Sequence, residues 1–231
     1  MAGGSGGRTA RGTETRSRPR AGRKAAARRE YHHGDLRRTL VVAALALANE
    51  VGPENVSVRE AARRAGVSPG APFRHFPDRT ALMTAVAEEA MARLRSAVER
   101  DVADDGPPLP RLEALGRAYL RWVLENPMHF EIISRRTGIN FEGSAQLVAD
   151  NMAIQARMRA IFLDAASEGT LRVTDLRTAE IMARAFVYGL ARMHVDGHFP
   201  SWGVPPAEVE AVMERTIAQF IALLTCPPRP K

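Results

Sequence analysis

From Asp35 to the C-terminus, apolar residues recur every three or four positions, and no stretch alternates apolar with polar side chains as a half-buried strand would. A chain with that period buries its apolar surface only by packing helices on one another, so an all-α fold is expected. The punctuation sets the elements. Leu36, Leu40, Ala44, Leu47 and Val51 form one stripe, with Asp35 as N-cap and Gly52 just past the end. Ser57, Val58, Arg59 and Glu60 match a reciprocal capping box and open a second helix that stops at Ala65, where Gly66 permits a sharp turn. Ser68 as N-cap and Pro69 at the first helical position predict a third, short helix. Pro72 distorts or shortens it, because a proline cannot donate the first internal hydrogen bond. Pro77 and Asp78 then open a long fourth helix carrying Leu82, Val86, Leu94 and Val98 on one face.

The run DDGPPLP over 104–110 breaks this pattern, and the domain boundary is expected at 95–110, with the fourth helix linking the two parts. Beyond it, helices are expected over 111–126, after Pro127, and over 144–167, 175–197 and 206–224. The expected organisation is a basic tail over 1–30, a helix-turn-helix domain over 31–94, a helical ligand-binding and dimerisation domain over 95–226, and a Pro-rich tail over 227–231.

Charge narrows the function. The first thirty residues hold nine Lys or Arg against Glu14 and Glu30, so the whole net charge of +7 resides there and the remainder balances. That segment has almost no large apolar side chain, so burial cannot offset its ordering entropy and disorder is expected. Such a tail either meets a polyanion such as nucleic acid or serves as a solubilising extension. No stretch approaches the roughly 20 apolar residues that span a bilayer, and no secretory signal follows the Arg-rich start, so a cytoplasmic protein with no membrane partner is expected. Cys226 is the only cysteine, which excludes intrachain disulfides and a cysteine metal cluster.

Two helices joined by a short Gly-containing turn form the DNA-binding helix-turn-helix, and here that motif is SVREAARRAGVSPGAPFRHF over 57–76. Ala61, Ala62 and Ala65 supply the small residues where the helices cross, and Val67 and Phe76 seal the core beneath. Pro69, Gly70 and Ala71 have little side chain, so this helix start can approach DNA closely and its free amides suit a phosphate. Arg74 and His75 follow as donors, and Arg79 is placed to hold a phosphate.

The segment from Tyr31 to Leu94 resembles the N-terminal domain of the TetR (tetracycline-repressor) family of bacterial regulators. The resemblance lies in the order of an Ala-rich helix ending at Gly52, then VREAARRAGVS, then PFRHFPDRTALM. It implies that Ser57, Ser68, Gly70, Ala71, Phe73, Arg74, His75 and Arg79 face DNA. Family members often carry Tyr where Phe73 stands, and a phenylalanine cannot make that hydroxyl's phosphate bond. The resemblance further implies a homodimer on a pseudo-palindromic double-stranded operator, its two readers about 34 to 36 Å or somewhat more apart. A small-molecule effector then alters that separation, most commonly to relieve repression.

Beyond Pro110 the match fades, although FVYGLARMHVDG over 186–197 resembles a degenerate Trp-x-x-His-Gly pattern in which only Gly189 keeps its type. Met128, Met152, Met158, Met182 and Met193, with Trp122, Phe130, Phe141 and Phe162, give an adaptable apolar pocket or plain helical core. The candidate ligand-binding set is Trp122, Met128, Phe130, Met152, Phe162, Phe186 and His194, for a hydrophobic or amphipathic effector. Arg135 and Arg136 either pair with an acidic ligand or are solvated. The last two helices, carrying Ile181, Phe186, Leu190, Met193, Val209, Val212, Met213, Ile217, Phe220 and Leu224, form either the dimer interface or intramolecular core. His194 and His198 share a helix face if the helix continues, but Gly197 predicts its end, and neither a metal nor a cofactor is implied. No Gly-rich phosphate loop, paired catalytic carboxylates or Gly-x-Ser-x-Gly elbow points to an enzyme. The alternative to a sequence-specific regulator is a nonspecific nucleic-acid binder, which needs basic residues throughout, whereas the chain after Glu30 is balanced.

Overall fold

The computed structural model describes Gly3 and residues 22–225, with side chains placed from Leu36 on. The expected disorder of 1–21, apart from Gly3, and the expectations for Cys226 and 227–231 lie outside the described residues. The chain divides into two compact units, 1–36 and 37–231. Among the described residues there are eight α-helices and no strand, only an isolated antiparallel bridge between Leu171 and Thr225. None of these helices is long and apolar enough to cross a membrane.

Helix α1 spans Gly22–Val51. Asp35 is therefore inside a helix rather than its N-cap, and 22–30, expected within the disordered tail, is helical. Ala25, Ala26, Ala27, Arg28, Arg29 and Glu30 are strong helix formers, and a helix anchored downstream extends by one hydrogen bond per residue added. From Arg37 onward α1 buries Leu40, Val41, Ala44, Leu47 and Ala48, while Val51, expected on the same stripe, is exposed where the chain leaves the helix. Helix α2 is Val58–Arg64, and the Ser57 hydroxyl accepts from the Glu60 amide at 3.1 Å. Only this half of the capping box forms, because the Glu60 carboxylate is taken by Arg63 Nε at 3.0 and 3.1 Å.

The predicted third helix is not an α-helix. Ser68 to Ala71 close a turn through the Ala71 amide to the Ser68 carbonyl at 3.1 Å, and one 3₁₀ turn follows over Pro72–Arg74. The cause is Pro72, which is buried and has no N–H to continue a helical ladder from Ser68. The Phe76 amide reaches the Pro72 carbonyl at 2.9 Å and brings the Phe76 ring into the core at 2% exposure, which contributes about 1.5–3 kcal/mol.

Helix α3, Arg79–Asp101, is capped by Asp78 accepting from the Ala81 amide at 2.8 Å, and Leu82, Val86, Leu94 and Val98 are all buried as expected. Helix α4, Pro108–Glu125, starts three residues earlier than expected, since Pro108 and Pro110 fall in its first turn, where no amide donor is needed. Helices α5 (Pro127–Arg135), α6 (Ala145–Ser167), α7 (Leu176–Val195) and α8 (Val209–Leu224) follow, with α6 capped by Ser144 and α7 by Asp175. Helix α3 packs on α4, α5 and α6, and α4 packs on α6, α7 and α8. A carboxylate buried at 1% exposure, Asp150, accepts from Arg95 at 3.1 Å and Gln146 at 2.7 Å, pinning α6 to α3. Buried Glu131 pins α5 to α7 through Arg192 at 2.6 Å.

Candidate nucleic-acid interface and effector cavity

Ser57, Ser68, Pro69, Gly70, Phe73 and Arg74 are exposed, from the cap of α2 and the turn that replaces the third helix. Nothing lies within 4 Å of where a Cβ on Gly70 would stand, so the backbone there is open to solvent. Ala71 is half-buried. The helix N-terminus expected to offer free amides to a phosphate is absent, since the segment is a turn followed by three residues of 3₁₀. Two further residues of the expected DNA-facing set are half-buried. His75 is half-buried and lines a shallow cleft with Arg37, Thr84, Glu88 and Asn140. The Arg79 guanidinium turns inward, donating to the carbonyls of Val56 at 3.1 Å and Pro53 at 2.5 Å, and so braces the connection between α1 and α2 against the start of α3. A guanidinium that donates to two carbonyls braces the backbone, a role the sequence did not signal. Arg59, which sequence reasoning left out, is exposed on the first turn of α2 and in no ion pair among the described residues; Arg63 and Arg64 are engaged by Glu60 and Glu50.

The loop between α5 and α6 ties this reader to the C-terminal helices. Gly138, at φ 73, sits against Arg79, so that a Cβ there would collide with the guanidinium. The Asn140 amide donates to Thr84 Oγ1 at 2.9 Å, and Glu88 accepts from Ser144 at 2.8 Å and from Arg37 at 3.2 Å. One carboxylate on α3 thus joins α1 to the cap of α6.

Between α3, α4, α5, α6, α7 and α8 lies a cavity of about 300 Å³. Its apolar wall includes Met91, Leu94 and Val98 of α3, Leu112 and Leu115 of α4, and Met158 of α6. Phe186 and Phe220, stacked with centroids 4.1 Å apart, form a flat side. Of the seven expected ligand residues only Phe186 lines it. Trp122, Phe130 and Phe162 are core, 3% exposed or less, and Met152 is 62% exposed on the far side of α6. Met128 and His194 do not line it either. Phe130 stands one layer behind, edge-on to the lining residue Tyr119 at 6.3 Å and 5.8 Å from Tyr188. The missed residues sit where six chain segments converge, and no single helix period reports that convergence. Burial holds the Tyr119 phenol above its ordinary pKa, opposed by Arg184 beside it. Helix α7 ends before His198, so the two histidines do not share a helix face, and among the described residues no three His, Cys, Asp or Glu side chains group closely enough to hold a metal.

An exposed turn after a short helix, braced to a long helix that also walls a cavity, is an architecture that suits a one-component regulator. Residues 40–86 match the family described as bacterial regulatory proteins, tetR family, and residues 112–220 match the tetracyclin repressor-like C-terminal domain. The chain belongs to the TetR family. Among curated relatives it is 37% identical over 81 residues to the HTH-type transcriptional regulator BetI of Klebsiella pneumoniae, a match covering 34% of this chain and 42% of that protein. It is 25% identical over 154 residues to the HTH-type transcriptional repressor KstR of Mycolicibacterium smegmatis, covering 67% of this chain and 74% of that one. A solved structure of a protein with unknown function from Rhodococcus sp. RHA1 superposes with a TM-score of 0.71 at 30% identity, covering 85% of this chain and 98% of the other.

Proposed function

We propose that this protein is a homodimeric, sequence-specific DNA-binding transcriptional repressor, released from a palindromic operator by a small hydrophobic or amphipathic effector. The observation that carries this reading is that α3 serves both sites. Its first residue, Arg79, braces the reader, while Met91, Leu94 and Val98, about three to five turns along, wall the cavity. A ligand that wedges α3 against α4 and α6 moves the reader as a rigid body, because close-packed helices shift between discrete arrangements rather than deform continuously. The names of the BetI and KstR relatives, a transcriptional regulator and a repressor, support the same role. The dimer is supported by α7 and α8, whose outer faces expose Ile181, Met182, Ala185, Ala211, Ala222 and Leu223.

The test is selection of a random duplex library with the purified full chain, followed by titration of the enriched DNA with amphiphiles. An inverted repeat bound by two chains and released by a compound is the expected outcome. Enrichment of no sequence overturns the reading and leaves a nonspecific nucleic-acid binder.

A further inference from the structure

We infer that the cavity takes an anionic amphiphile, its carboxylate held at the mouth by Arg184 and Arg136 and its apolar chain inserted among the α3, α4 and α8 side chains. This rests on the reading of that cavity as the effector site and specifies the class of effector. The first ground is the sign of the charge. Two charged side chains line the cavity, both arginines, and no carboxylate lines it among the described residues. An apolar chamber with cations alone at its edge selects by charge as well as by size, because a cationic head meets repulsion and a neutral one leaves the guanidinium donors unused.

The second ground is the state of Arg184. Its guanidinium carbon stands 5.0 Å from the Tyr119 ring centroid and 5.4 Å from that of Tyr188, and it is in no ion pair among the described residues. Its neighbour Glu180, one turn back on α7, is turned to Arg159 at 3.9 Å. Two aromatic faces orient the planar fork without neutralising it, which leaves N–H donors for a carboxylate. Arg184 is exposed at the residue level yet lines the cavity, so it stands at the mouth, where a charged head keeps contact with water.

The third ground is the backbone at Arg136. It caps α5 at φ 57, the sole non-glycine residue with positive φ among those described, at a position where glycine or asparagine is the relaxed choice. Its guanidinium lies over the Phe141 ring at 3.6 Å, and its ion pair with Glu142 is long, 3.5 Å, with Glu142 itself 83% exposed. A strained arginine facing a cavity, loosely paired, fits a ligand contact better than a helix cap. Ser134, Asn151 and Gln155 add neutral polar groups to the lining, and Leu112, Leu115, Val98, Met158 and Ile217 provide the chain's surroundings.

The experiment is calorimetric titration of the full chain with dodecanoate, dodecanol and dodecylammonium below their aggregation thresholds, without DNA. Dodecanoate is expected to bind at one site per chain about tenfold tighter than dodecanol, with dodecylammonium weakest. In Arg184→Gln the dodecanoate advantage shrinks to a few-fold and dodecanol binds as before, which also reports that the variant folds. Equal affinity for dodecanoate and dodecanol, or an advantage untouched in both Arg184→Gln and Arg136→Gln, overturns the anionic assignment while leaving an apolar effector site in place. Absence of binding by all three overturns the effector site as well, and neither result bears on whether the protein selects an operator.

Discussion

Arg74 and Arg79 stand five positions apart in the same run, yet one is exposed and the other holds two backbone carbonyls. Arg74→Ala is expected to leave thermal stability within error and to weaken operator binding about tenfold, as loss of one phosphate or base contact does. Arg79→Ala orphans the Pro53 and Val56 carbonyls and is expected to cost about 1–3 kcal/mol of unfolding free energy. Its DNA affinity, measured well below the melting point, should keep the wild-type salt slope. A slope reduced by about one unit would restore Arg79 as a phosphate ligand. His129 is 6% exposed, and burial first, then the nearby Arg93, pushes its pKa below 6.5, with Glu89 opposing. Its native form is therefore neutral, while the unfolded chain takes up a proton near 6.5. The associated stability is present above that pH and is lost as pH falls below it. The melting temperature should drop from about pH 7 to about pH 5, and His129→Gln should make the drop shallower whatever its effect at neutral pH. His194, also lowered by burial, supplies part of what remains.

The reading turn is the element on which sequence pattern and structure differ most. Pro72 identified the weakness of the third helix, and the structure carries it further, leaving a turn and one 3₁₀ turn that present Gly70 and Phe73 outward. Gly70→Ala meets no atom within 4 Å, so it should not change the melting temperature, while its added methyl meets the DNA backbone and weakens operator binding. Full affinity in that variant would place the turn away from DNA. Two helix starts were legible, since Ser57 and Asp78 accept the amides of Glu60 and Ala81, whereas Ser68, expected as a cap, opens only a turn. The start of α1 was not, because Asp35 is a capable cap inside a sequence of better helix formers. The residues expected to face DNA, six of which are exposed together, came from one contiguous motif. The cavity did not, since Arg184, Tyr119 and Met91 lie on three helices and only their packing brings them to one wall. Aromatic and Met residues at helical spacing mark both core and cavity wall: Phe130 and Phe162 are buried away from the cavity, whereas Met158 and Phe186 line it.

At the scale of the whole molecule, two half-sites of an inverted repeat are held together only if two chains are. Helix α8 buries Val209, Met213, Ile217, Ile221 and Leu224 within its own chain, which assigns the sequence-expected Val209, Met213, Ile217 and Leu224 to intramolecular core. Outward on α8 are small residues, Ala211 and Ala222 with the half-buried Ala218, beside Leu223 at 74% exposure and the polar Glu210, Arg215 and Gln219. On α7 the outward apolar residues are Ile181 at 60% exposure, Met182 and Ala185, and nothing lies within 4 Å of where a Cβ on Gly189 would stand. Small side chains let two helices of a partner chain approach closely, and the apolar ones at the edge lose their water on contact. Ile181→Glu places a carboxylate on this face without disturbing the chain's own core, so the helical content should be unchanged. Sedimentation should shift it toward monomer at concentrations where the wild type is dimeric, because an unpaired charge buried in an interface is costly. Affinity for the inverted repeat should fall further than affinity for an isolated half-site, since tethering both readers is what raises the second contact's effective concentration. A dimeric Ile181→Glu with full operator affinity would move the interface to another face of the bundle and leave α7 solvated.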